Sequence, residues 1–159
     1  MTVAVGANIA QTFTTTTDGK WVTPGTVFRS FQNKTYIFVK ATGTIAVGDV
    51  VTYDETFVTT VAALSTSNDF SGDALGVGVV AMSSGDYGWL QIEGVTAFSV
   101  LASCAANVQL NSTGTAGALD DDATSTTFPA IGMFLTVAAT GAAVTAGVIQ
   151  NKAYQGKVL

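Results

Sequence analysis

The chain has 159 residues, with six Lys or Arg against eleven Asp or Glu and no histidine. This length fits one domain whose core needs neither disulfides nor metals. The absence of histidine excludes His-based acid–base catalysis and His metal sites. The net charge of −5 argues against nucleic acid as the main partner, because binding a phosphate backbone requires clustered Lys and Arg.

The first 34 residues differ from the rest of the chain. No charge occurs in residues 1–17, and Gln11–Thr17 is polar and β-branched with a single large apolar residue. Such a segment buries too little apolar area to order itself. It predicts either a frayed terminus or an arm that adds a strand to a neighbour's sheet edge. In the second case the contact would comprise Phe13, Thr14, Thr15, Thr16 and Thr17.

From residue 35 onward, short runs rich in β-branched and aromatic residues are bounded by Gly, Asp, Asn or Ser. These runs predict strands at 35–40, 49–53, 56–61, 76–81 and 87–92. No window carries a helical stripe with capping signals. We therefore expect an all-β chain, in which residues 1–34 form an extended arm and connector and residues 35–159 form a small β-barrel-like domain.

The predicted domain carries a weak internal repeat. The matched segments, at offsets of 58, 56 and 59 residues, are Gly48–Tyr53 with Ala106–Asn111, Leu75–Ala81 with Ile131–Val137, and Trp89–Gln91 with Val148–Gln150. The agreement of the three offsets predicts two related halves. Each half is too short to be a stable sheet alone, so we expect the two to pair into one body.

One stretch is long enough to cross a bilayer as a helix, since residues 123–151 carry no charge. However, Thr and Gly punctuate it every few residues, and Ala139–Ala142 is typical of a turn between two β-rich runs. We expect strands in this stretch and no membrane span.

Motifs that could support catalysis are weak. Gly76–Ala81 fits the dinucleotide pattern G-x-G-x-x-G/A but leaves no room for the required helix. Asp120–Asp122 predicts a solvated acidic loop, with an adventitious Ca²⁺ site as the alternative. Asp86 and Glu93 could be neighbours, but sequence alone does not place them across a sugar-binding cleft. Cys104 lies in an apolar run and predicts a buried, inert thiol. We expect no enzyme, no cofactor and no metal.

Aromatic residues are concentrated around the first half: Trp21, Phe28, Phe31, Tyr36 and Phe38 precede it. Tyr87 and Trp89 are two apart on one predicted strand and therefore face the same side. Two interpretations stay open, core packing and an interface anchor. Under the second interpretation, Trp21, Tyr87 and Trp89 join Phe13 in the predicted interface.

Three runs resemble the capsid decoration, or cement, proteins of tailed bacteriophages: Ile45–Val51, Ala74–Ala81 and Ser84–Gly94. The closing run Ile131–Val137, with its Ala-Ala-Thr-Gly turn, extends the likeness, which covers roughly residues 40–150. The resemblance implies a small β-barrel or β-tulip protein that docks on the outer face of the assembled head, commonly as a trimer, and stabilises it without being an enzyme. It assigns no individual contact residues.

The resemblance and the composition together predict the partners. We expect the major capsid protein and further copies of the chain itself, with no nucleic acid and no membrane, at the exterior of the virion. Three alternatives stay open: a receptor- or carbohydrate-binding β-module, a self-polymerising fibre, pilus or surface-layer subunit, and a hydrolase.

Overall fold

The computed structural model of the chain describes residues 7–14, 22–30, 32–60, 73–123 and 127–156. All regular secondary structure in these residues is β-strand, which confirms the predicted all-β class. The ten strands are β1 (Val27–Arg29), β2 (Thr35–Ala41), β3 (Val50–Tyr53), β4 (Val58–Thr60), β5 (Ala74–Gly78), β6 (Tyr87–Val100), β7 (Leu110–Ser112), β8 (Leu119–Asp120), β9 (Pro129–Leu135) and β10 (Ala143–Gln155).

The strand pairings close into two rings that share β6. In the first ring β2 pairs with β6, β6 with β5, β5 with β3, β3 with β4, and β4 with β2. In the second ring β6 pairs with β10, β10 with β9, β9 with β7, β7 with β8, and β8 with β6. The first part of β6, up to Glu93, pairs with β2, and the part from Gly94 pairs with β10.

The two rings repeat one pattern. In each, four of the five pairings are antiparallel and one is parallel: β2 with β4 in the first ring, and β6 with β8 in the second. The strands that correspond are β3 and β7, β5 and β9, and β6 and β10, as the sequence repeat predicts. The prediction of two related halves is therefore confirmed. Each half closes its own ring, and the rings meet through the shared β6 and a short β5–β10 contact.

Two matched turns lie at one end of the first ring. Gly48 and Gly85 both have a φ of +92°, a conformation that favours glycine. The aspartate that follows each glycine, Asp49 or Asp86, accepts a 2.7 Å hydrogen bond from the backbone N–H three residues earlier. A β-bridge between Ile45 and Met82 holds the turns side by side. The Gly-Asp pairs of the sequence are therefore turn-forming residues.

Two mainly aliphatic clusters fill the two rings. The first-ring cluster comprises Ile37, Val39, Ala41, Ile45, Val51, Met82 and Leu90. The second-ring cluster is larger and includes Phe98, Leu110, Leu119, Met133, Leu135 and Ile149. Val50, Leu75 and Val77, whose strands belong to the first ring, also pack in the second cluster. The first ring thus closes one side of the second ring's core, and the two rings pack as one body.

The uncharged stretch 123–151 forms strands where the structure describes it. It contributes β9 and most of β10, joined by a connection at 136–142 that contains the predicted turn. In the described parts of the chain, no helix has the length and apolar character needed to cross a membrane.

Candidate interaction surfaces

One side of the β2–β6 pair carries an aromatic cluster. Phe38 lies opposite Trp89 with 5.1 Å between ring centroids, and Tyr87 stacks on Phe38 at 6.2 Å. Phe28, from β1, lies 6.2 Å from Tyr36 and 6.3 Å from Trp89. These separations are typical of favourable aromatic pairs. Tyr87 and Trp89 contribute to the same cluster, as their spacing predicts.

Residues 7–13 cover part of this aromatic cluster. Phe13 forms an antiparallel bridge with Tyr87, with N–H to carbonyl distances of 2.9 and 2.7 Å. Its ring meets Phe38 edge to face at 5.8 Å, and Ala7 and Ile9 pack on the same cluster. The sequence left two interpretations of this segment open, a frayed terminus and an arm ordered by a neighbour's strand edge. In the structure Phe13 uses a strand of its own chain, because the aromatic cluster supplies the apolar partners that the segment itself lacks.

The predicted interface residues fall into three groups. Trp89 is 2% exposed, so its ring packs in the core, the first of the two interpretations. Phe13 and Tyr87 are half-buried and Thr14 is exposed; the Nζ of Lys40 lies 5.8 Å from the centre of the Tyr87 ring. The remaining four, Thr15, Thr16, Thr17 and Trp21, lie outside the described residues.

The predicted boundary between residues 34 and 35 does not separate the arm from the sheet. β1 lies inside the predicted arm and pairs with β2 over its whole length, with Phe28 opposite Tyr36. Val22 and Phe28 pack on the aromatic cluster. The described parts of the arm are therefore attached to the first ring.

The corresponding side of the second ring carries exposed apolar residues. Directly opposed residues of an antiparallel pair share a face, and on the outer face of the β6–β10 pair these are Val95 with Val148, Ala97 with Ala146, and Ser99 with Val144. We call these six residues the bare face. At the repeat offset of 59 residues, Val148 corresponds to Trp89 and Ala146 to Tyr87. Val95 is 62% exposed and Val144 50%.

The residues of the bare face were not among the predicted interface residues, although the sequence of β10 carries a signal for them. The run Ala143–Ile149 is apolar or small at almost every position, whereas a half-solvated strand alternates apolar and polar residues. Phe98 and Ile149 face the core, and Val144 and Ala146 on the other side of the sheet face solvent. An apolar pattern on both sides of a strand predicts that both sides are buried when the protein is bound to its partner.

A thiol and two carboxylates meet beside β8. The Sγ of Cys104 and carboxylate oxygens of Asp120 and Asp121 lie within 4.8 Å of one another. Burial, reinforced by the charges of Asp121 and Asp120, raises the pKa of Cys104 to about 11. A protonated thiol is a poor metal ligand. Asp121 Oδ2 instead accepts a 2.9 Å hydrogen bond from the backbone N–H of Ala105, so the acidic run fixes a turn and is not merely a solvated loop.

The other candidate catalytic residues have structural contacts. Glu93 accepts a 2.7 Å hydrogen bond from the hydroxyl of Thr35 and forms a 3.5 Å ion pair with Arg29. Asp86 closes one of the matched turns. Gly76–Ala81, which fits the dinucleotide pattern, forms the end of β5 and the turn after it, and no helix follows in residues 73–123.

A cavity of about 360 Å³ lies at the edge of the second ring. Three amide side chains, Asn107, Gln109 and Gln150, line it together with Phe134. The Nε2 of Gln109 donates to two backbone carbonyls, at 2.7 and 3.1 Å, which fixes this amide and leaves its Oε1 as an acceptor. The cavity lies where the pairing of β9 with β10 shifts register after Ile149. Register shifts of this kind redirect side chains.

Comparison with known proteins adds no assignment. No protein-family model matches the chain, and no curated protein matches it. The candidate surfaces are therefore defined by geometry. They are the aromatic cluster with its covering segment, the matched turns, the bare face and the amide-lined cavity.

Proposed function

We propose that the protein is a structural capsid decoration protein. It binds the outer surface of a tailed-phage head through the major capsid protein, acts together with further copies of itself, and stabilises the shell. The single observation that carries the proposal is the pair of matched turns, because the runs that resemble decoration proteins, Ile45–Val51, Ala74–Ala81 and Ser84–Gly94, come together around them.

The turns suit a docking role on a protein lattice. Their tips are exposed and uncharged, with Val47 at one tip and Ser83 and Ser84 at the other. The Asp49 and Asp86 hydrogen bonds and the Ile45–Met82 bridge hold both tips in one geometry. A surface fixed before binding loses little conformational entropy on association. The net charge of −5 also disfavours adhesion to packaged DNA.

Co-sedimentation with capsids tests the proposal. The purified chain is mixed with undecorated heads of the phage that carries its gene, and the heads are then heated. We expect saturable binding and a higher temperature of head opening. Val47→Asp and Ser84→Asp place a charge at the tips and should weaken binding, whereas Ala123→Asp, at an exposed position in another loop, should not. Heads that neither bind the wild-type chain nor gain heat resistance would refute the function.

The amide-lined cavity favours a second candidate, a carbohydrate-binding module of the virion. Neutral sugars present hydroxyls that both donate and accept, and amides offer both functions. The Phe134 ring can pack against the apolar face of a sugar. A panel of neutral mono- and oligosaccharides tests this candidate by ligand-observed NMR. Signal transfer that is lost in Gln150→Ala and retained in Gln11→Ala would support it, and no transfer from any sugar would reject it.

A further inference from the structure

The two rings allow equivalent surfaces to be compared within one molecule. In the first ring, Ala7, Ile9, Phe13, Val22 and Phe28 cover the outer face of the β2–β6 pair. In the second ring the β6–β10 pair has the same place in the pattern, yet its outer face is the bare face, with valines that are up to 62% exposed. Exposed apolar residues that are scattered singly are normal on a protein surface, whereas Val95, Ala97, Val144 and Ala146 are exposed next to one another.

We propose that the bare face contacts a second copy of this chain. The proposal rests on the homo-oligomer of the proposed function and deepens it by naming the surface. Charge is the first argument for this occupant. Residues 95–99 and 143–148 contain no charged residue, while the whole chain carries −5. Two copies of equal charge meet with the least repulsion where neither presents a charge.

Side-chain size is the second argument. The positions of Trp89 and Tyr87 in the first ring correspond to Val148 and Ala146 in the second. Valine, alanine and serine leave a low, flat sheet surface, which another sheet can approach to the spacing of about 10 Å seen between packed sheets. A second copy supplies an equally flat, neutral sheet, whereas a charged partner would find no group on the bare face with which to pair.

The extent of the bare face defines its role in the contact. The bare face spans five residues on each of two strands, which cover about 160 Å² at the usual strand spacing and rise, while a stable interface buries about 800 Å² per partner. The bare face is therefore the centre of the contact. A single charge at the centre should be disruptive, because it would be buried without a partner.

The mass of the full chain in solution tests the proposal. Light scattering coupled to size-exclusion chromatography, over a wide concentration range, should give a closed oligomer for the wild-type chain. Ala146→Asp and Ala97→Asp should shift it to the 16.2 kDa monomer, with self-affinity at least tenfold weaker. Ala146→Ser, which adds no charge, and Ala81→Asp, at an exposed alanine in the first ring, should both keep the oligomer. Circular dichroism verifies that each variant is folded.

The mass in solution and the binding to capsids together identify what contacts the bare face. A wild-type chain that is monomeric at all concentrations, or an oligomer that both Asp variants retain, overturns the proposal. If the wild type is monomeric and the Asp variants lose capsid binding, the occupant is the capsid protein. If Ala146→Asp breaks up the oligomer and the chain does not bind heads, the self-contact is supported and the capsid-decoration function is refuted. If the wild type instead forms open-ended fibres that Ala146→Asp breaks up, the protein is a self-polymerising subunit. Should the Asp variants misfold, Val95→Thr replaces them and should weaken self-association several-fold.

Discussion

Replacing Phe13 by alanine should detach the N-terminal segment without unfolding the rings. Phe13 is the point where this segment joins the sheet, through two backbone hydrogen bonds to Tyr87 and an edge-to-face contact with Phe38. Phe38 and Trp89 beneath it lie on β2 and β6, which pair with each other without Phe13. The attachment is therefore a local equilibrium, which can open while the pairing of β2 with β6 stays intact.

The magnitude follows from the burial of the ring. Truncating a fully buried phenylalanine to alanine costs about 3–5 kcal/mol, and Phe13 is half-buried. A loss of about 2 kcal/mol is therefore expected, of which the aromatic contact contributes about 0.5–1.5 kcal/mol. A loss of this size shifts the opening equilibrium about 30-fold.

Hydrogen exchange at the Tyr87 amide measures this opening, because that N–H donates to the carbonyl of Phe13. We expect its exchange to accelerate about 30-fold in Phe13→Ala. Phe13→Leu, which keeps much of the burial and loses the ring contact, should show a smaller increase. Gln11→Ala, at an exposed position, should match the wild type. An unchanged Tyr87 amide in Phe13→Ala, or equal acceleration of all amides including those of β10, would refute a local attachment.

Three further predictions concern the second ring. Gly147→Ala should lower the melting temperature by several degrees, because its Cβ would collide with the buried Phe98 ring; Gly141→Ala, with open space around it, should be nearly neutral. Gln155→Met should raise the free energy of unfolding in urea by about 1–3 kcal/mol, since the buried amide of Gln155 has no hydrogen-bond partner among the described residues; a decrease would show that the amide has a partner. The unfolded thiol of Cys104 ionises near pH 9.0 and the folded one near 11, so stability should fall as pH rises across that interval. Cys104→Ala should reduce this slope without removing it, because burial also raises the pKa of Tyr36 and of Tyr53.

Local sequence patterns predicted most strands, because β-branched and aromatic runs bounded by turn residues define them independently of the tertiary fold. β2, β3 and β4 lie where they were predicted. β6 was predicted to end at residue 92 and continues to Val100. Gly94, which interrupts the run, has a φ of +97° and a close approach to the carbonyl of Asn33. Glycine often ends a strand, but at Gly94 strand β6 continues from the first ring into the second.

Contacts between distant segments could not be predicted in this way. The composition of residues 11–17 correctly indicates too little apolar surface for independent order, but the partner of Phe13 is 74 residues away at Tyr87. The burial of Trp89 likewise depends on β1 and residues 7–13 lying over it. The bare face requires knowing which side of β10 faces the core, and that follows from the closure of the second ring.

The repeat explains why the amide-lined cavity lies in the second ring. Gln91 and Gln150 occupy matching positions, but the Nε2 of Gln91 donates to the carbonyls of Glu93 and Val95, at 3.1 and 3.0 Å. It thereby bridges Gly94, where β6 passes into the second ring. Gln150, in contrast, is exposed at the cavity. The amide of Gln91, which joins the first ring to the second, thus corresponds in the second ring to the amide of Gln150, which is available for binding.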